Sequence, residues 1–419
     1  MRILLEDVIL EGRTVDILVE DGRVVEISDF SGVEADKVIS GKGRKIALPS
    51  FINGHTHLSM TIFRGYADDM PLRKWLEEKI WVLEGKLTEE DVYWGAKLGC
   101  LEMIKNGITV FNDMYWHLEA VAEATREMGL RAFLSAVFID LFDEKKALEQ
   151  REENLRLFEV AKGYRPHVTF TLGPHALYTV SRESLDWIRE FSQREGLFVH
   201  MHLSETEQEV EFCKERYGLR PAEFLDSVGL LSERFIGAHG CWLDEDEVRL
   251  MAERGAKLVH NPVSNLKLAV GRLFPYEAAK SYGLSFCLGT DGAASNNRLD
   301  IIETMKFASL LAKFKTNDPT FLSARESFEL VTERAARIFG MGDWQIKVGG
   351  SADIILIDPQ RPEHTPGFDL YSDLVYASSG YVVDTVICMG RVLMEERYVR
   401  GEEEIMERAR RIAKELVER

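Results

Sequence analysis

The feature that most constrains this chain is a rhythm across its middle. Short apolar runs alternate with stretches of helical periodicity. The runs fall at residues 46–52, 108–111, 132–139, 168–172, 197–200, 235–238, 257–259 and 284–288. Helical spacing is clearest at residues 88–105, 118–128, 181–195 and 298–314. Strand and helix in strict alternation build βα units around a parallel sheet. Eight such units in about 300 residues fit a closed (β/α)8 barrel.

The two ends have a different texture. Near the start, Val15, Ile17 and Val19 alternate with polar residues, and Val25 and Ile27 repeat the pattern after the turn Asp21-Gly22. That is the grammar of a hairpin. Residues 351–358 and 382–390 read as further strands, and Gly390-Arg391 as a turn into another at 392–394. Strand-rich flanks on a βα middle predict a small β-sandwich domain built from both termini. The expected division is 1–49 for its first part, 50–345 for the barrel, and 346–419 for its second part. A last segment has apolar residues at Ile405, Ala409, Ile412 and Leu416, the spacing of an amphipathic helix.

Composition narrows the function classes. The 419 residues carry a net charge of −18. Such a chain repels phosphate backbones, which argues against a nucleic-acid partner. No apolar run approaches the roughly 18 residues of a membrane span, and the charged start is unlike a signal peptide. The five cysteines are odd in number and contain no C-x-x-C pair. A disulfide framework is therefore not expected, and a reducing, cytoplasmic setting is.

The chemistry lies just beyond each run. The first leads into His55 and His57, the second into Asn112-Asp113, the fourth into His175, and the fifth through His200 and His202 to Glu205. The sixth ends at His239, the seventh at His260 and the eighth at Asp291. Seven of the ten histidines thus sit at strand ends. Barrel enzymes gather catalytic residues at that rim. In His55-x-His57 the two imidazoles share one side of a strand and can grip one ion. Asp291, a carboxylate after an apolar strand, needs a cation, a metal or a turn to cap. His200 and His202 also share a face, and periodicity does not choose between them.

These residues carry a resemblance. The chain resembles the amidohydrolase superfamily in its mononuclear branch, through residues 49–57 (Pro-Ser-Phe-Ile-Asn-Gly-His-Thr-His), His202-Leu-Ser-Glu205, His239, and residues 288–297 (Leu-Gly-Thr-Asp-Gly-Ala-Ala-Ser-Asn-Asn). More narrowly it is similar to the 5-methylthioadenosine/S-adenosylhomocysteine deaminases and their chlorohydrolase and cytosine deaminase relatives. The added matches are residues 60–65, Trp75-Leu76, Glu84, Gly173-Pro-His175 and residues 260–268.

The resemblance implies His55, His57, His202 and Asp291 as metal ligands. His202 is then chosen over His200 because the family's H-x-x-E matches His202 and Glu205. It implies one divalent ion per subunit, Zn2+ first and Fe2+ as the alternative. The place of the bridging lysine seen in two-metal members holds Gly173-Pro174-His175 here. The implied reaction is hydrolytic removal of the 6-amino group of an adenosine-type nucleoside. Glu205, His239 and Asp291 would handle protons, with Glu84 on the ribose, His175 at the purine edge and Trp75 as a wall. Glu205 and Asp291 would both also touch substrate. A homo-oligomer, dimer or tetramer, is implied as well. Rival activities are removal of an amine or chloride from another ring, such as a guanine, cytosine or triazine, and, from another class, a non-catalytic barrel scaffold. One departure concerns substrate. Relatives that act on S-adenosylhomocysteine clamp its carboxylate with arginines, and here those positions align to Ala136 and Gln150.

Overall fold

The computed structural model describes residues 1–29 and 33–419. Among the described residues, eight parallel strands form the barrel: Phe51–Thr56, Ile108–Tyr115, Arg131–Phe138, Val168–Pro174, Val199–Leu203, Phe235–His239, Lys257–His260 and Ser285–Leu288. Each pairs in parallel with the next. Every residue of the first, second and fifth strands is buried. Helices cover the outer face, so such strands read as continuous apolar runs rather than alternating ones.

The first and eighth strands meet through side chains and loops. The Asn53 amide donates to Thr290 Oγ1 at 2.7 Å and accepts from the Thr290 N–H at 3.0 Å. The Asp291 N–H donates to the His55 carbonyl at 2.9 Å. Gly54 permits this approach: a Cβ there would lie 2.6 Å from Cys287 Sγ and 2.9 Å from Val259. The seam therefore fixes Asp291 directly beside the His55–His57 pair.

The run at 46–52 proves to be two strands. Ile46–Pro49 pairs antiparallel with Ile354–Ile357 in a second sheet, and Phe51–Thr56 enters the barrel. The crossing is at Ser50, whose N–H reaches the Asp353 carbonyl and whose hydroxyl meets Thr109. The second sheet draws strands from both ends of the chain and encloses its own core of Ile3, Leu5, Ile17, Val19, Ile354 and Leu356 among others. It is one hydrogen-bonded sheet curled over that core. Its hairpin at Gly22 meets the turn at Gly390, both bonded to Ala352.

Within this sheet the expected pairing of Val25 with Ile27 on the inner face is corrected. Val19 pairs with Val24, but Leu18 pairs with Glu26, so Val25 is an extra residue in the ladder. This bulge turns Val24 into the core and leaves Val25 39% exposed.

The helices begin and end at their caps. Thr88 and Asp91 form a capping box for Glu89–Lys105, and Ser181 caps Arg182–Glu195. The helix expected from 298 begins at Ile301, because the Asp300 carboxylate takes the Ile302 and Glu303 N–H groups. The last helix, Glu402–Glu418, buries Ile405, Ala409, Ile412 and Leu416 as the spacing predicts. It packs back on Glu89–Lys105, and Arg419 clasps Asp91 with two bonds of 2.7 and 2.8 Å. Among the described residues, no helix is long and apolar enough to cross a membrane.

Candidate active site

The barrel's C-terminal rim brings His55, His57, His202, His239, Glu205 and Asp291 around one point. His55 and His57 leave the first strand, His202 the fifth, His239 the sixth, and Asp291 comes just after the eighth. Three residues here hold left-handed backbone without being glycine: Ser204 at φ 48°, His239 at 75° and Asp291 at 62°. Such conformations are costly and persist where the surroundings impose them.

The hydrogen bonds define which nitrogens face the centre. His57 Nδ1 lies 2.7 Å from the Met114 carbonyl, and His202 Nδ1 lies 3.0 Å from the His175 carbonyl. A carbonyl only accepts, so both Nδ1 atoms carry hydrogen. In the neutral rings both Nε2 atoms then present lone pairs, and these two atoms are 3.2 Å apart. Asp291 Oδ1 stands 3.3 Å from His57 Nε2 and 3.4 Å from His55 Nε2. Among the described residues, the buried Nε2 atoms of His55 and His239 have no hydrogen-bond partner. Opposed lone pairs, a carboxylate and orphaned ring nitrogens form a donor set that a divalent cation would satisfy. The ligand atoms of His55, His57 and Asp291 lie within 4.8 Å of one another, as do those of His55, His202 and His239.

Asp291 is braced for an anionic role. Its Oδ2 accepts from Ser264 at 2.6 Å and Ser295 at 2.9 Å, and its Oδ1 from the Gly292 N–H at 2.8 Å. Burial would raise its pKa, but His55, His57 and His239 together hold it well below the usual carboxylate range. Burial depresses His55 to about 4 and His175 to about 3. For His239 burial pulls the same way, yet Glu205 and Asp291 outweigh it and raise the pKa. Glu205 is raised by burial, partly offset by His239. Its carboxylate lies 3.9 Å from His239 Nδ1. The site thus keeps a carboxyl ready to exchange a proton beside an imidazole ready to take one.

Glu205 precedes the helix Glu207–Tyr217, which Thr206 caps, and is only 9% exposed, so it turns inward rather than out along the helix. The cavity above the centre has about 90 Å3 of free space, and Trp75, Glu84, His175, Glu205 and Asp291 all line it. Trp75 is buried against this wall. Burial raises Glu84 to about 7, against hydrogen bonds from Tyr115 and Trp116. A side chamber of about 690 Å3 opens beyond the shared walls Trp81, Glu84, Tyr115 and Trp116, and Ala136 and Gln150 line it. Arg151 points elsewhere, to the Glu183 carbonyl at 3.1 Å.

The sequence matches the description "Amidohydrolase family" over residues 46–393. The chain belongs to the amidohydrolase family. Among curated relatives, a 5'-deoxyadenosine deaminase of Methanoregula boonei is 49% identical over 387 residues, covering 92% of this chain and 87% of that one. A 5-methylthioadenosine/S-adenosylhomocysteine deaminase 1 of Archaeoglobus fulgidus is 45% identical, covering 99% of this chain and 97% of its own. Among solved structures, an adenosine deaminase of Xanthomonas campestris with bound zinc superposes with a TM-score of 0.92 at 32% identity, covering 100% of this chain and 98% of that one. A triazine hydrolase variant shares the fold at a TM-score of 0.88 and 23% identity.

Two residues that shape the site are not singled out individually by the sequence pattern. Glu209, on the helix after Glu205, accepts the Ser204 N–H at 2.9 Å and the Glu205 N–H at 3.0 Å. Asn265 accepts from His239 Nδ1 at 2.8 Å and donates to Cys241 Sγ at 3.0 Å. His260, which ends the seventh strand, bonds the Tyr276 hydroxyl through Nε2 at 2.7 Å.

Proposed function

We propose that this protein is a metal-dependent deaminase that replaces the 6-amino group of an adenosine-type nucleoside with oxygen, releasing ammonia. The observation that carries the reading is the juxtaposition of His57 and His202, Nε2 to Nε2 at 3.2 Å, with Asp291 at 3.3 Å and the Glu205–His239 pair alongside. The nucleoside class is supported by relatives that are named for deoxyadenosine and methylthioadenosine.

The residues that would hold the ion are His55, His57, His202 and Asp291, with Zn2+ favoured because a zinc-bound structure shares the fold at 32% identity. When bound, such an ion lowers the pKa of a coordinated water to about 7 and so supplies a nucleophile at neutral pH. His239 and Asp291 would orient the attacking water and accept the proton it gives up. Glu205 would deliver a proton to ring N1, which makes C6 electrophilic, then take the proton of the new C6 hydroxyl and pass it to the departing amine, while the proton held by His239 and Asp291 returns to Glu205. Gln in its place can hold a hydrogen bond but cannot cycle a proton. Glu84 accepts from the ribose hydroxyls, His175 contacts the purine edge, and Trp75 shields the ring from water.

The side chamber would receive the 5' substituent. Arg156, a guanidinium in its wall, is engaged by Glu119 at 2.7 Å and by Glu153 at 2.7 and 2.8 Å. We therefore place methylthioadenosine, 5'-deoxyadenosine and adenosine above S-adenosylhomocysteine as substrates. The test is ammonia release, tracked with the absorbance change from adenine to hypoxanthine, across a nucleoside panel with metal-loaded protein. Turnover of methylthioadenosine or 5'-deoxyadenosine is expected. No turnover of any adenosine with metal bound would sink the nucleoside reading in favour of a guanine, cytosine or triazine substrate.

A further inference from the structure

We propose that His200 is a positioning residue that holds His55 in the one tautomer able to bind the metal. The inference rests on the assignment of His55 as a ligand under the proposed function. His200 stands two residues before His202 on the same strand face, and it is fully buried beside His55, with ring centres 4.9 Å apart. It is not itself free to bind an ion. Its Nδ1 lies 3.1 Å from the Ile236 carbonyl and its Nε2 lies 2.7 Å from His55 Nδ1.

What each atom can do sets the direction of each bond. The Ile236 carbonyl only accepts, so His200 Nδ1 carries hydrogen. A neutral His200 then has a lone pair on Nε2. That lone pair accepts from His55 Nδ1, which must carry hydrogen in turn. The remaining nitrogen of His55, Nε2, is left with its lone pair facing His57, His202 and Asp291. One main-chain carbonyl on the neighbouring strand thus sets, through two rings, the orientation of a metal ligand.

The alternative state shows why this matters. If His55 carried its hydrogen on Nε2, that N–H would point at Asp291 Oδ1, 3.4 Å away. The pair would satisfy each other, removing one donor and partly occupying a second. Both His55 and His200 are 0% exposed, so no bulk water replaces the lost partner. His200 therefore biases the site toward metal binding and away from this self-paired form. Partners of this kind on ligand histidines are commonly worth about 10–100-fold in metal affinity.

Two substitutions separate the acceptor from the packing. His200→Leu fills the space but offers no lone pair. His200→Gln can place its side-chain oxygen near the position of Nε2. Chelator-stripped proteins are titrated with zinc against a chromophoric competitor, and thermal unfolding of each metal-free protein serves as a stability control. The expected result is one tight zinc per wild-type chain, an affinity about 10–100-fold weaker in His200→Leu, and recovery to within about threefold of wild type in His200→Gln. Equal affinity in wild type and His200→Leu overturns the proposal. So does equal weakening in both variants, since the acceptor would then not be what counts. A wild-type protein that binds no zinc defeats the metal reading itself, and that outcome differs visibly from either of these.

Discussion

Glu205 and Glu84 are two carboxyls in one cavity whose surroundings suit them to different work. Glu205 is raised by burial and faces His239, the partner it needs for proton exchange. Replacing it with Gln should leave zinc stoichiometry intact and lower kcat by at least about 100-fold, as loss of a general acid/base does. Retained turnover in a metal-loaded E205Q protein would remove Glu205 from the mechanism. Glu84 is raised to about 7 and, as we read it, must accept from ribose hydroxyls. Below that value the carboxyl is protonated and accepts poorly, and above it the carboxylate accepts well. Nucleoside affinity should therefore tighten as pH rises through about 7. Equilibrium binding in the E205Q background isolates this from chemistry. The added change Glu84→Gln should flatten the profile, and an unchanged profile would assign the titration to another group.

At the scale of elements, the turn after the fifth strand is held from one helical turn ahead. Glu209 is buried, and its two oxygens take consecutive N–H groups at Ser204, with its left-handed backbone, and at Glu205. Glu209→Ala leaves two buried N–H groups without acceptors, at about 1–3 kcal/mol each. The expected outcome is a lower urea midpoint together with a kcat loss larger than any change in KM, because Glu205 loses its aim. A kcat equal to wild type would show that the turn holds Glu205 by itself. Glu209 also marks the limit of what the sequence could tell. On a helix whose first turn is rich in acids, a glutamate reads as solvated, and only the three-dimensional path of the chain turns it inward. The barrel was legible because both faces of its strands are covered, so they stand out as apolar runs. Their ends were less so: the second strand continues through Asn112 and Asp113 to Tyr115, polar residues that a hydrophobic run excludes but the buried rim accepts. The split at Ser50 was hidden because the strands on either side are equally apolar. The bulge at Val25 was hidden because one extra residue inverts a two-residue pattern without changing its composition. The histidines at the rim were legible as a set. Which of His200 and His202 faces the centre was not legible from alternation, which puts both on one face; only the H-x-x-E match favoured His202, and the task of His200 emerges only from its contact with His55.

At the scale of the whole molecule, the question is how an acidic protein meets its substrate. The net charge of −18 disfavours anionic ligands in general, and the side chamber repeats that bias locally with Glu89, Glu119 and Glu153 in its walls. Arg156 is committed to two of these carboxylates, so little positive charge is left for a substrate's carboxylate. Ala136 and Gln150 line the chamber, and the resemblance aligns them with the carboxylate-clamping arginines of relatives. A gain of function is therefore expected from restoring them. Ala136→Arg with Gln150→Arg should raise kcat/KM for S-adenosylhomocysteine relative to methylthioadenosine. A charged hydrogen bond is worth about 1.5–3 kcal/mol, which corresponds to roughly a tenfold to hundredfold shift in the ratio. The sign matters more than the size. The new guanidiniums also face Glu119 and Glu153, and if these carboxylates capture them, as they hold Arg156, the ratio will not move. Adding Glu153→Gln should then release the shift. A wild-type protein that already turns over S-adenosylhomocysteine as well as methylthioadenosine would show that the chamber recognises the carboxylate by some other group, with exposed Lys146 on its wall the first to replace.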